Sequence, residues 1–412
     1  MKVKYLVLLL WSLATVGTLC ANSAFSFSGF PNQDSNIDML GAGMGETGLG
    51  DVYRKNTSFI NPSLMTTLNQ VYFSTGISLG SFGYYDSSGG SSRTQGLYFP
   101  YFNLTVPIKK HYLGFDYAPL YSGNEDVYHI DNELEIDGEK LTYDEINRVK
   151  SFIYKGAFLY AYTNNIINVG FSFNYYLGQR TQGWQQKFEN GSGLVGNRYE
   201  INESFKAPGF TIGVNKRVKN IAFGAAYSSP TSLRGRAEMV TTSGSVLDME
   251  DKDFAIPERI GVGTSIRLAN RYKLNFDGHY ERWSNNDYYE DPDDTYKIAF
   301  GMAYNPSWNQ GTWLKNIPFR VGAYYHTLPF KANDASLAET AVTFGFSLPL
   351  DTPNSQLDFA VKYYQRGDTK ENLYKDEGLF FGIGLSGFDF FKNRPKKISD
   401  REIPKAEYES FR

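Results

Sequence analysis

Phe319-Arg320-Val321-Gly322-Ala323-Tyr324-Tyr325-His326 alternates with period two. Phe319, Val321, Ala323 and Tyr325 fall on one face, and Arg320, Gly322, Tyr324 and His326 on the other. The same alternation runs through Leu274–Glu281, Leu357–Tyr364 and Ile167–Tyr175. Successive side chains of a strand point to opposite faces, so each stretch reads as a strand with one apolar face and one polar face. A soluble sandwich alternates too. Length decides between them, because the runs here extend over about 11 to 15 residues. Soluble strands average ~5–6 residues, whereas a membrane strand needs ~9–11.

Working outward, fourteen such runs occupy approximately 71–84, 95–108, 111–122, 150–163, 166–178, 205–217, 219–238, 256–268, 271–284, 295–305, 317–327, 339–349, 355–366 and 378–391. The number is even, as bacterial single-chain barrels require. Links after runs two, four, six, eight and twelve are short, and links after three, five and seven are long; only the link from Pro306 to Asn316 is longer than a periplasmic turn should be. Short turns belong on the periplasmic side and long loops outside. The expected fold is therefore all-β, a 14-stranded antiparallel transmembrane β-barrel at 71–391, with both ends periplasmic and an N-terminal luminal plug.

Composition agrees. The chain has 412 residues, with 31 Tyr, 31 Phe and 40 Gly, and aromatic residues make up 16%. Rings suit a pleated surface. A mean hydropathy of −0.41 excludes a bundle of membrane helices. A net charge of −3 gives no basic surface for nucleic acid. Lys2 and Lys4, the apolar run from Tyr5 to Leu19, and small residues at Ala21 and Ser23 spell a secretory signal peptide over 1–23. Cleavage after Ser23 removes Cys20, leaving no cysteine. A closed barrel needs none, because its hydrogen bonds close on themselves.

Residues 24–70 lack sustained alternation and are rich in glycine, which suits a plug inside the lumen. Residues 123–149 read as a small extracellular lid, and 392–412 as a charged periplasmic tail. Asp287–Asp294 (DYYEDPDD) reads as a solvated acidic loop, with Ca²⁺ binding as the alternative. Tyr280 and Trp283 read as interfacial girdle residues, with ordinary core packing as the alternative.

Several segments together resemble the outer-membrane long-chain fatty-acid and hydrocarbon transporter family (FadL type). Gly50–Met65 (GDVYRKNTSFINPSLM) is similar to the family's plug segment, with Asn61-Pro62-Ser63-Leu64 in place of Asn-Pro-Ala and a hydrophobic residue. Pro100 and Pro107 in YFPYFNLTVP, then Leu113-Gly114-Phe115, resemble its second and third strands. Tyr227-Ser228-Ser229-Pro230, Leu233-Arg234-Gly235, Ile256-Pro257, Gly261-Val262-Gly263, Asp277 and Trp283 continue the pattern, as do Lys297–Gly301, Tyr304 and Arg320-Val321-Gly322. The resemblance implies a plugged fourteen-stranded barrel in the outer membrane. It also implies passive uptake of hydrophobic or amphipathic molecules, such as fatty acids or hydrocarbons, with lateral exit into membrane lipid. The alternative is a protein-interaction barrel of a secretion system, similar to type IX shuttles, with a periplasmic or secretion partner.

Chemistry-bearing motifs point away from an enzyme. His111, His129, His279 and His326 form no His-x-x-x-His pair, and there is no Gly-x-Ser-x-Gly elbow or phosphate loop. No cofactor and no metal is expected. Phe59, Asn61, Pro62, Leu64, Pro100 and Pro107 are the expected plug and substrate-path residues. Pro100, Pro107 and Pro119 place the expected wall opening in strands two and three, because proline removes a ladder donor. Arg259, Asp277, His279 and Arg320 are expected to face the lumen as polar groups. Asp116, Lys155, Arg267, Lys273, Glu281, Lys297, Asp358, Lys362 and Arg366 belong with them.

Overall fold

A computed structural model describes residues 23–26, 30, 32–33, 37–53, 60–136, 139–164, 166–188, 195–269, 271–284, 286, 288–289, 291–306, 317–350 and 355–387. The expected signal peptide apart from Ser23, Phe59, Asp287 and the tail 392–412 lie outside the described residues.

Fourteen antiparallel strands form the wall. They are β1 (Tyr72–Asp86), β2 (Ser91–Tyr98 and Phe102–Ile108), β3 (His111–Ile136), β4 (Glu139–Thr163), β5 (Asn168–Phe188), β6 (Arg198–Val218) and β7 (Ile221–Ser228 and Thr231–Thr241). They continue as β8 (Phe254–Ile256 and Glu258–Leu268), β9 (Tyr272–Arg282), β10 (Thr295–Tyr304), β11 (Phe319–Ala332), β12 (Ala335–Pro349), β13 (Gln356–Arg366) and β14 (Tyr374–Ser386). β14 pairs with β1 from Tyr374↔Asp86 to Ser386↔Ser74, which closes the barrel. Closure removes the free edges that a membrane cannot satisfy.

The alternation read from the sequence sorts as expected. In β9, Lys273, Asn275, Asp277 and Glu281 are buried inside, while Tyr272, Phe276 and Tyr280 are exposed outside. The outer band is apolar: Leu79, Phe158, Phe171, Val262, Ile298 and Val342 are all exposed.

Three expectations are corrected. Residues 123–149 are not a separate lid: β3 and β4 run on as one hairpin, paired out to Ile136↔Glu139. The expected long loop at 179–204 is likewise mostly strand, since β5 and β6 pair out to Gln185↔Arg198. Polar residues there keep the period of two, so length and polarity misled where pairing did not. Trp283 is not a girdle residue. It is buried in an aromatic core with Phe25, Phe30, Tyr121, Phe205, Phe254, Tyr289 and Phe330. In the loop after β9, Tyr288 and Tyr289 therefore turn inward, while Asp291 stays exposed as expected of a solvated acidic loop. Tyr288 and Tyr289 pack in this core or against it, and burial pushes both phenols above their ordinary range. The loop's Asp291 and Asp293 instead bind Lys331, at 2.6 and 3.5 Å.

Three wall strands break at proline. β7 is interrupted at Ser229-Pro230 and β8 at Pro257; these breaks face each other, and the β7–β8 ladder resumes on either side, at Thr231↔Ile256 and Ser228↔Arg259. The break in β2 at Phe99-Pro100-Tyr101 differs. Its first half pairs with β1, and its second half pairs with β1 and β3. Among the described residues no ladder joins Ser91–Tyr98 to β3. Beyond Tyr117, β3 pairs with β4 and, at Tyr121 and Ser122, with Gln33 and Asn32 of the N-terminal segment. A seam thus divides strands two and three in one half of the barrel. Pro119 adds a register shift to its β3 side.

Candidate functional site

The described part of the N-terminal segment packs against inward-facing wall residues. Asp38 caps a one-turn helix, α1 (Met39–Ala42), by accepting from the Gly41 amide at 2.9 Å. The Met39 amide donates to Tyr101 Oη at 3.3 Å. Tyr101 sits in the β2 break, so the interruption turns a wall residue toward the inner segment.

Beyond α1, backbone meets backbone. A Cβ on Gly322 of β11 would lie 2.1 Å from the Gly45 nitrogen. One on Gly224 of β7 would lie 2.1 Å from Leu49 O, and one on Gly301 of β10 would lie 2.4 Å from Met44 O. Gly345 of β12 abuts Gly43, and Gly263 of β8 abuts Gly50. Gly224 pairs with Gly263, and Gly301 with Gly322, so these positions share one level of the wall. Any side chain there would hold the inner segment off.

Charge fixes the same seat. Asp277 accepts the Gly48 and Leu49 amides at 2.7 and 2.8 Å. Lys273 pairs with buried Asp51, and Glu46 binds Lys297 and Lys362. Arg259 pairs with Glu281, whose other oxygen accepts Trp283 Nε1 at 2.9 Å. Arg320 donates to Ser347 Oγ at 2.9 Å, and Ser347 donates to Asp358.

Asn61 organises the second contact. Its side chain accepts the Ser63 amide and donates to Leu49 O and Val214 O at 3.0 and 3.1 Å. Pro62 then opens a 3₁₀ helix, Pro62–Thr67, in which Leu64 is fully buried. Proline suits that position because its missing N–H has no helical acceptor. Gly213 and Gly170 of the wall leave room for Asn61 and Ser63. Asn61-Pro62 is thus a helix start rather than a bare turn into the wall. Pro100 lies in the seam, whereas Pro107 pairs with Tyr112 beside the β2–β3 turn.

His279, Arg259 and Ile60 line two small interior cavities of about 40 and 30 Å³. Leu49, Leu120, Lys155 and Ile256 join the first, and Glu46, Glu281, Lys297 and His326 the second. A cavity of ~10–15 Å³ holds one water. A larger hollow of about 510 Å³ lies on the wall's outer side at Phe223, Val262, Phe276 and Ile298. Among the described residues no group of three or more His, Cys, Asp or Glu is placed to hold a metal ion.

The wall-glycine level, Glu46 and Asp51 were missed in the sequence. The signal was there: a glycine recurs at an inward position of one strand after another. Acidic residues also interrupt the glycine-rich inner segment.

Solved structures share this fold. The CymD monoaromatic hydrocarbon channel superposes with a TM-score of 0.59 at 14% identity, covering 86% of this chain and 98% of that one. The P. putida toluene transporter TodX gives 0.57 at 16% identity, with the same coverage. The Ralstonia pickettii toluene transporter TbuX gives 0.60 at 16%, again covering 86% and 98%. At such identities the likeness is one of fold, and it carries the FadL-type resemblance that far. No curated protein sequence matches the chain. The family model BamG matches residues 1–394, almost the whole length, and the protein belongs to the BamG family.

Proposed function

We propose that the protein is an outer-membrane barrel that works as a protein-interaction scaffold, its own lumen being closed by residues 24–70 acting as a plug. One observation supports this reading: described groups of the inner segment are ion-paired to the wall, Asp51 with Lys273 and Glu46 with Lys297 and Lys362. A drug-sized ligand takes a pocket of ~300–1,000 Å³, and the two cavities beside His279, Arg259 and Ile60 hold a few waters each. Opening a route would separate Lys273 from Asp51 and both lysines from Glu46.

The partner surface is the raised rim. β3 and β4 have 26 and 25 residues. A crossing uses ~9–11 of them, so roughly 45–55 Å of strand length extends beyond the membrane at ~3.3 Å per residue. The rim with short turns is then periplasmic. A photocrosslinker at Tyr128 or Ile130, both exposed on this sheet, is expected to give one discrete protein adduct in living cells. Lipid analysis of protein purified in mild detergent tests the same reading from the other side. A stoichiometric apolar ligand in the lumen would overturn it.

The second reading is passive transport of hydrophobic molecules with lateral exit. The seam between β2 and β3 favours it, as does a fold shared with hydrocarbon channels. Re-exposing apolar surface to water costs ~25 cal/mol per Å², so a sideways route suits such a cargo. Uptake of a labelled alkane above that of cells lacking the protein would favour this reading.

A further inference from the structure

An expectation from the sequence and an observation of the fold meet at one peptide bond. The signal-peptide pattern places cleavage between Ser23 and Ala24. In the folded barrel, the Ala24 nitrogen lies 3.2 Å from Asp376 Oδ1, and both Ser23 and Asp376 are fully buried.

We propose that this cleavage makes a structural ion: the new α-ammonium of Ala24 becomes the buried counter-charge of Asp376. Water, delivered by the signal peptidase, adds across the Ser23–Ala24 bond. The carboxyl leaves with the leader, and the amine on Ala24 takes up a proton. One N–H donor thereby becomes three, with a positive charge.

The surroundings call for that charge. Arg366 Nη2 donates to Glu339 at 2.6 Å, and Arg366 Nη1 lies 3.7 Å from Asp376. Glu125 is close enough to Asp376 to repel it, and its Oε2 is buried without a hydrogen-bond partner. Lys297 and Lys362 are engaged with Glu46. Asp376 and Glu339 thus share Arg366. An ammonium at Ala24 supplies a second cation.

Room for it comes from the same cut. Ser23 Oγ occupies Asp376 Oδ2 and accepts from Arg366 at 3.3 Å. Its departure frees that oxygen for the ammonium. Phe25, next along, packs against Phe330 and Tyr374 and holds the terminus in place.

The test uses the full protein purified from outer membranes. N-terminal sequencing is expected to begin at Ala24. The α-amine of the folded barrel is expected to resist a water-soluble acylating reagent and to react fully after heat unfolding. Asp376→Asn is expected to raise the folded-state acylation rate at least tenfold, whereas Asp376→Glu keeps the amine protected. A mature chain starting elsewhere overturns the proposal. So does an α-amine that reacts equally fast in folded and unfolded wild type. Those two readouts stand even if a variant fails to assemble.

Discussion

Gly322 of the wall and Gly45 of the inner segment touch through their backbones: a Cβ on Gly322 would stand 2.1 Å from the Gly45 nitrogen. No flexible side-chain end lies between them to give way. Gly322→Val is therefore expected to unseat the inner segment. Overpacking costs ~1–3 kcal/mol, and what moves is the non-covalent seat rather than the ladder. Single-channel conductance in planar bilayers is expected to rise above wild type. Gly278→Val is the control, because a Cβ there meets nothing within 4 Å. Equal conductance for Gly322→Val and wild type would count against a plug.

Lys273 and Asp51 are almost wholly buried, so each needs the other. Asp51→Asn takes from the Lys273 ammonium the carboxylate it pairs with inside the lumen. Breaking a buried pair costs ~3–5 kcal/mol. Asp51→Asn should lower the temperature at which the barrel unfolds in detergent. The double change Asp51→Leu with Lys273→Met should recover most of that loss. A double variant no better than the single one would mean that packing, not charge, sets the cost.

The wall was legible in the sequence because its signal is local and repeated. Leu274–Glu281 shows the period of two without help from the rest of the chain, and β9 covers it as expected. Parity puts Asp277, His279 and Arg320 on the polar face of their strands. Partners were not legible. Nothing near Lys273 points to Asp51, more than 200 residues away. Trp283 misled because a strand-end tryptophan is the usual girdle residue, and only the inward turn of the following loop shows otherwise.

Topology gives a third prediction. Tyr128 stands exposed on the raised hairpin, and Lys109 occupies the two-residue turn between β2 and β3 with φ of 58°. A cysteine at 128 is expected to react with a membrane-impermeant maleimide on intact cells. One at 109 should react after the outer membrane is permeabilised. Labelling of position 109 on intact cells would invert the orientation.

The seam makes the last prediction. An antiparallel strand sends alternate amides to each neighbour. Ser91–Tyr98 is laddered to β1, and no described ladder joins it to β3. About half of its amides therefore lack a second strand to bind, and the same holds for β3 beyond Tyr121 and Ser122 on that side. β9, by contrast, is laddered to both β8 and β10 along its length. Sheet protection requires the partner strand, so hydrogen exchange in detergent micelles should be faster over 91–98 than over 272–282. The cause is the break at Phe99-Pro100-Tyr101, where proline fixes φ and offers no donor. Tyr101, turned inward to Met39, holds the break open from inside. Pro100→Val restores a donor and a strand-forming side chain, but Tyr101 stays engaged, so the seam should persist. Adding Tyr101→Thr removes that hold, and protection over 91–98 is expected to rise toward that of β9. Equal exchange of 91–98 and 272–282 in wild type would show that the wall is closed at this place.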